Sequence, residues 1–331
     1  VLVTDATSKA RVDSGKMPSR RVKPIFIAGV PRSGTTLLVN LVGMHPQMAP
    51  VFETRFLRNL LRHCDYTGRH WSRARAPWPG AVIPKRWLRS RFAARCQAYR
   101  AKVLAHHTPG VDYSNGRRNE LPFDRQVILY TREELVEETD RWISRMMAGP
   151  SSETEVYDGA RELVSHLFSL HAARMDKPHW VNKTPGLLEE IRDLPKLFPD
   201  AKCLHIIRDG RDVAASTLAM TWGPTTVTEA ARRWKNLFTA GRKQVDRERL
   251  DYLELRYEEL VHSPRDVVRA PFAFLELEAD LDEILSKVNV YPESIGRWKS
   301  KWTRHERKAF AGAAGDLLIE LGYEKDYAWV D

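Results

Sequence analysis

The stretch Pro24-Ile25-Phe26-Ile27-Ala28-Gly29-Val30-Pro31-Arg32-Ser33-Gly34-Thr35-Thr36-Leu37-Leu38 decides the reading of this chain. Its first half is a short apolar run bounded by proline and glycine, the pattern of a buried strand. Pro31 to Thr36 is turn-rich, and Leu37, Leu38, Leu41 and Val42 then recur at helical spacing as far as His45-Pro46. The order is strand, glycine loop, helix. Set against the triphosphatase loop GxxxxGK[ST], Gly29, Gly34 and Thr36 match, while Thr35 stands where the lysine belongs. The backbone amides between Gly34 and Leu37 still open a helix, and a helix N-terminus attracts phosphate. What is missing is the lysine that grips a β- or γ-phosphate. The loop therefore suits a phosphate-bearing nucleotide other than a magnesium triphosphate, with Arg32 as the cation inside it. A simple tight turn is the structural alternative.

Further along the chain the same alternation returns. Residues 179–183 and 201–207 read as short strands, and Tyr252 to Tyr257 alternates like one. Helical spacing covers 131–147, 158–175, 213–220, 227–248, 264–275 and 304–321. Thr131-Arg132-Glu133-Glu134 has the look of a capped helix start. Strands alternating with helices predict an α/β, P-loop-type three-layer fold, with a central parallel sheet of about four or five strands flanked by helices. Residues 1–22 are polar and basic and read as a mobile leader, and 23–331 as a single domain.

A second motif, Arg208-Asp209-Gly210-Arg211-Asp212-Val213-Ala214-Ala215-Ser216, also follows a strand and opens a helix. Ligands bind at the carboxyl ends of parallel strands, where Arg208 falls. Ser216 lies about two helical turns on and can converge with Arg208 on one anion. A surface network with Asp209 capping the helix is the bland alternative.

The 331 residues carry 53 Lys and Arg against 43 Asp and Glu, a net charge of +10. The excess is local: 62–125 alone holds fourteen basic and four acidic residues, which equals the net charge of the whole chain. Such a field attracts anionic partners. The segment 62–128 also holds Trp71, Trp78, Trp87 and several prolines, and reads as an irregular, partly helical insertion forming a lid or acceptor surface. No run of about 18 apolar residues is present, so no transmembrane segment is expected. Three cysteines, Cys64, Cys96 and Cys203, without CxxC spacing argue against a disulfide framework and for a reducing, cytoplasmic setting. His106-His107 and the His166/His171 pair lack metal-ligand spacing, and no metal is expected.

PRSGTTL after a strand, with RDGRDVAAS later, resembles the sulfotransferase superfamily. The nearer likeness is to tyrosylprotein sulfotransferases and their bacterial relatives. It rests on GVPRSGTTL, Glu53-Thr54-Arg55, Asn182-Lys183-Thr184-Pro185 and Arg256-Tyr257-Glu258-Glu259-Leu260-Val261. The resemblance implies 3′-phosphoadenosine 5′-phosphosulfate (PAPS) as donor and 3′-phosphoadenosine 5′-phosphate (PAP) as product. It implies that Arg32 lies beside the 5′-phosphosulfate and that Ser33, Gly34, Thr35 and Thr36, with the amides reaching Leu37, cradle the 5′-phosphate. Arg208 and Ser216 would grip the 3′-phosphate, with Tyr257 and Arg297 as further nucleotide contacts. Lys183 would stabilise the reacting sulfuryl oxygens, and Glu53 would be the base that a hydroxyl nucleophile needs. His45 is the rival base. The expected reaction is in-line O-sulfation with no metal, relying on positioning and charge stabilisation.

The acceptor is expected to be a hydroxyl-bearing, anionic molecule: an acidic peptide, a saccharide, a carrier-bound group or a small metabolite. A protein-tyrosine sulfotransferase is the narrower alternative, a divergent P-loop phosphotransferase the remoter one, and a homodimer the assembly considered. A nucleic-acid partner is not expected, because neither a helix-turn-helix nor an RNP-type motif accompanies the basic charge.

Overall fold

The computed structural model describes residues 23–75, 85–106, 129–148 and 152–331. In chain order its elements are β1 Ile25–Ala28, α1 Thr35–Gly43, β2 Met48–Phe52, α2 Arg55–Arg75, α3 Lys85–His106, α4 Arg132–Ala148 and α5 Glu153–Arg174. Then come β3 His179–Lys183, a 3-10 segment Pro185–Asp193, α6 Leu194–Leu197, β4 Lys202–Ile207, α7 Gly210–Leu218, α8 Val227–Gln244 and β5 Asp251–Arg256. The chain finishes with α9 Tyr257–His262, α10 Pro264–Leu275, α11 Leu281–Ser286, α12 Arg297–Lys301 and α13 Arg304–Glu320.

The five strands form one parallel sheet in the order β2-β3-β1-β4-β5. Alternation along β1 sends Ile25 and Ile27 to one face and Phe26 and Ala28 to the other. Ile25 and Ile27 meet Leu38 and Val42 of α1 and the apolar faces of α9 and α10. Phe26 packs on Trp180 and Phe198 in the larger core, which α2, α5, the 3-10 segment and α8 build on the opposite face. This is the expected three-layer α/β arrangement, with β1 central and its loop at the middle of the sheet's carboxyl edge.

Two features differ from the expectation. β2 has no alternating pattern, since Met48, Ala49, Pro50, Val51 and Phe52 are all buried. It lies at the sheet edge and pairs only with β3, so Pro50 interrupts no second ladder. The segment expected to be an irregular, partly helical insertion from residue 62 begins inside α2 and continues as α3, both long regular helices where described. Cys64 and Trp142 pack with Cys96, Tyr99 and Val103, which builds both helices into the larger core. Arginine-rich helix surfaces hide this, because the buried stripe is narrow. The leader 1–22, residues 76–84 and 107–128, and the side chains of Trp71, Trp78, Trp87 and His106 lie outside what the structure describes.

Among the described residues no helix is long and apolar enough to cross a membrane. Cys64, Cys96 and Cys203 are free and buried, and burial pushes the thiols of Cys96 and Cys203 up to about 12. They serve as core residues.

Candidate active site

A cleft of about 920 Å³ opens at the carboxyl edge of the sheet, over the ends of β1, β2, β3 and β4. The loop after β1 forms its floor. Gly34 adopts φ 100 and caps α1, a conformation that glycine reaches without strain. It also has no room for a side chain: a Cβ there would lie 2.3 Å from the Tyr257 ring. The first bond into the helix runs from the Leu38 amide to the Gly34 carbonyl, which leaves the amides of Thr35, Thr36 and Leu37 for an anion. Ser33 does not belong to that set. Its amide donates to Val30 O at 3.0 Å, and its hydroxyl donates to Val30 O at 2.6 Å and Ile206 O at 3.1 Å. It braces the loop against β4 and corrects the expectation that Ser33 cradles phosphate directly.

Arg32 is a non-glycine residue at φ 75. Such strain costs on the order of 1–3 kcal/mol and persists only where surrounding contacts hold it. Two contacts do so here. Arg32 Nε donates to Ser216 Oγ at 2.9 Å, and the Arg32 carbonyl accepts from the Arg208 guanidinium at 3.1 Å. The first loop and the second motif are thereby joined, and Ser216 meets Arg32 rather than Arg208.

Arg208 is 9% exposed, yet among the described residues no carboxylate hydrogen-bonds it. Its other contacts are the Ser294 carbonyl at 2.6 Å and the Tyr257 ring, 4.3 Å from the guanidinium carbon. Its Nε is buried with no hydrogen-bond partner. Tyr257 is fixed in turn by Ser294, whose hydroxyl lies 2.6 Å from the phenol oxygen. Asp212 positions this support, accepting from the Gly296 amide at 2.7 Å and the Trp298 amide at 3.4 Å. Burial pushes the Asp212 carboxyl upward, against these donors and the nearby Arg208 charge. Neither Asp212 nor Ser294 was singled out from the sequence. The first was readable as a second acid in the RDGRD motif, whereas Ser294 carries no local signal.

The third wall comes from β2 and β3. Glu53 follows β2 at φ 34, with its amide donating to the Lys183 carbonyl at 2.8 Å. That turn brings its carboxylate to 2.7 Å from Lys183 Nζ. The pair is asymmetric: Lys183 is 1% exposed, whereas the Glu53 side chain is 41% exposed and lines the cleft. Burial pushes the Lys183 ammonium below its ordinary value, with Arg32 acting in the same direction and Glu53 opposing both. Asn182 fixes the frame behind the pair, donating to Thr54 Oγ1 at 3.0 Å and Val51 O at 3.3 Å.

Two predicted residues fall elsewhere. His45 lies at the far end of α1, at the amino edge of the sheet. Its Nε2 donates to Glu278 O at 2.9 Å, and its Nδ1 accepts from the Gln47 amide at 3.2 Å. Both nitrogens are occupied and the ring lines a different cleft from Glu53, so His45 is excluded as the base. Arg297 follows the anchored Gly296, but its side chain turns to the Glu293 carbonyl at 3.0 Å and does not line the cleft. Conversely, Arg58, Arg62, Trp222 and Arg233 line the cleft and were not predicted as site residues. Arg58 and Arg62 stand one helical turn apart on α2 and form ion pairs with Glu189 and Glu190 of the 3-10 segment. Among the described residues no group of three or more His, Cys, Asp or Glu is placed to hold a metal ion.

This geometry can be set beside known proteins. Over 93% of its length the chain is 25% identical to nodulation protein NoeE of Sinorhizobium fredii, covering 68% of that protein. Over 91% it is 22% identical to protein-tyrosine sulfotransferase 1 of Danio rerio, covering 72% of it. The sulfotransferase domain of the Synechococcus PCC 7002 olefin synthase overlays with a TM-score of 0.43 at 19% identity, over 87% of this chain and 92% of that one. Residues 24–282 match the family model described as "Sulfotransferase family", a span that contains the Arg32 loop, the Glu53–Lys183 pair, Arg208 and Tyr257. The chain belongs to the sulfotransferase family.

Proposed function

We infer that this protein transfers a sulfuryl group from PAPS to the hydroxyl of an anionic acceptor, with PAP as the second product. The observation that carries the reading is Arg208: a buried guanidinium held by carbonyls and an aromatic face, with its Nε–H unpartnered among the described residues. Leaving a buried cation without a hydrogen-bonded counter-charge costs several kcal/mol, a cost that an arriving phosphate removes. The site fits the nucleotide on three counts: the open α1 amides, the Gly34 position that leaves no space for a Cβ, and the Arg208 orphan.

PAPS supplies an activated sulfuryl group whose leaving group is the 5′-phosphate. The α1 amides and Arg32 would hold that phosphosulfate. Arg208, with Tyr257 beneath it, would take the 3′-phosphate, and the Arg32–Ser216 bond would keep the two anion sites in register. Lys183, dry and charged, would stabilise the negative charge that develops on the bridging and sulfuryl oxygens. Glu53 presents the exposed carboxylate of the pair and accepts the proton of the acceptor hydroxyl. Its ion pair with Lys183 and its strained backbone hold that carboxylate at the cleft wall.

Peptidyl tyrosine is the narrower reading of the acceptor, supported by likeness to the Danio rerio enzyme. Calorimetry of PAP against ADP, without magnesium, tests the donor assignment. PAP should bind about a hundredfold tighter, the scale of one desolvated charge pair. Equal binding of ADP would return the protein to the phosphotransferase reading.

A further inference from the structure

The cleft has two unlike walls. The donor wall, α1 and Tyr257, belongs to the core on one face of the sheet. The opposite wall is made by α2, the 3-10 segment and α8, all rooted in the larger core on the other face. Lys183 and Glu53 stand at the carboxyl edge between the two walls. A nucleotide held by the first wall leaves the second for the acceptor.

On the second wall the cations are not equivalent. Arg58 and Arg62 are already paired with Glu189 and Glu190. Arg233 of α8 is exposed and forms no ion pair among the described residues. The acid four residues before it, Glu229, accepts from the Thr225 amide at 3.2 Å and so faces the helix start instead. What Arg233 does contact is Trp222, whose ring centroid lies 5.5 Å from its guanidinium carbon.

Trp222 is 51% exposed and lines the cleft, whereas the other large exposed apolar residues among those described, Met147 and Tyr327, do not. It is nonetheless on a braced loop. Met220 N donates to Thr217 O at 3.0 Å, and Gly223 N to Met220 O at 2.9 Å. Gly223 passes so close to that turn that a Cβ would sit 1.9 Å from Thr217 O. The loop therefore offers a fixed aromatic face, beside an uncommitted cation, toward the reaction cleft.

The geometry points to Trp222 and Arg233 as the acceptor-selecting subsite, taking a hydroxyl carried on a ring that bears an anionic substituent. The ring lies on Trp222, as aromatic faces prefer, and the anion pairs with Arg233, whose planar fork suits a carboxylate or sulfate. This assignment rests on the sulfotransferase reading of the same cleft.

The test uses the whole chain with PAPS and two small phenols, 4-hydroxyphenylacetate and 4-ethylphenol, with sulfated product measured directly. PAP binding is measured alongside by calorimetry. The protein should favour 4-hydroxyphenylacetate by about tenfold in kcat/KM, the scale of one exposed charge-assisted contact. Arg233→Gln should remove that preference, Arg233→Lys should keep part of it, and Trp222→Ala should lower turnover of both phenols by about fivefold through KM. PAP affinity should stay unchanged in all three variants.

Equal turnover of the two phenols, or a preference that survives Arg233→Gln, would overturn the anion assignment. Turnover of neither phenol by a protein that binds PAP would overturn the ring class. Loss of PAP affinity in the variants would move both residues to the nucleotide. Failure of the unaltered protein to bind PAP is a different result, and it refutes the donor reading itself.

Discussion

Two clefts lie at opposite ends of the same sheet, and both hold buried cations. At the amino edge Lys202 is anchored by the Phe274 carbonyl at 2.5 Å and by Glu276 at 2.8 Å. Nearby, Lys177 donates to three carbonyls, those of Gly43, His45 and Met48, and burial lowers its ammonium to about 8. There the cations are held by backbone carbonyls and, for Lys202, by Glu276. At the carboxyl edge Lys183 has one half-exposed carboxylate on a positive-φ residue, Glu53, as Lys202 has in Glu276, but Arg208 also keeps an Nε with no hydrogen-bond partner among the described residues. Burial of charge alone therefore does not mark the working end. A buried donor left without a partner does, because such a site is completed by what binds there.

The comparison can be broken most forcefully at Lys183. Lys183→Ala and Glu53→Ala should each lower kcat by about a thousandfold, the usual scale for a positioned proton acceptor or charge stabiliser. PAP binding should remain within about tenfold. A kcat near that of the unaltered protein would remove the pair from the reaction.

Arg208→Ala should weaken PAP binding by about 3 kcal/mol, roughly a hundredfold, as expected for breaking a desolvated charge contact. Gly34→Ala forces a side chain into the Tyr257 ring at a left-handed position. It should cost about 2 kcal/mol of stability in a denaturant titration and reduce PAP affinity as well.

The pH profile sharpens the contrast. Because burial lowers the Lys183 pKa, the ammonium loses its proton at a lower pH than free lysine, and kcat should fall along an alkaline limb with a midpoint below about 10.4. Lys183→Arg, which stays charged, should be slower but lack that limb. The smallest effect belongs to the amino edge. His45→Ala should cost about 1 kcal/mol of stability, for lost hydrogen bonds, and leave PAP binding and kcat as they were.

What the sequence disclosed follows from what is local. Gly29 to Leu37 is contiguous, so strand, loop and helix could be read with their chemistry, and the spacing put Arg208 just before a helix and Ser216 about two turns into it. Glu53 and Lys183 were individually legible through their motifs, but their 2.7 Å contact depends on β2 pairing with β3 across 130 residues. Ser294, which seats both Arg208 and Tyr257, and the Trp222–Arg233 wall arise only from tertiary packing. Arg297 shows the converse: its backbone is brought to the site by Asp212, and its side chain turns away toward Glu293. Ser33 was read as a phosphate contact because it sits in the loop, and only the structure shows its polar groups committed to Val30 and Ile206.

The most direct measurement is a calorimetric double cycle, with PAP and AMP titrated into the unaltered protein and into Arg208→Gln. The account predicts that PAP outbinds AMP by about a hundredfold in the unaltered protein and by no more than about threefold in the variant, because Arg208 answers the 3′-phosphate alone. If Arg208→Gln weakened AMP as much as PAP, Arg208 would be a general support of the loop and not the group that reads the 3′-phosphate.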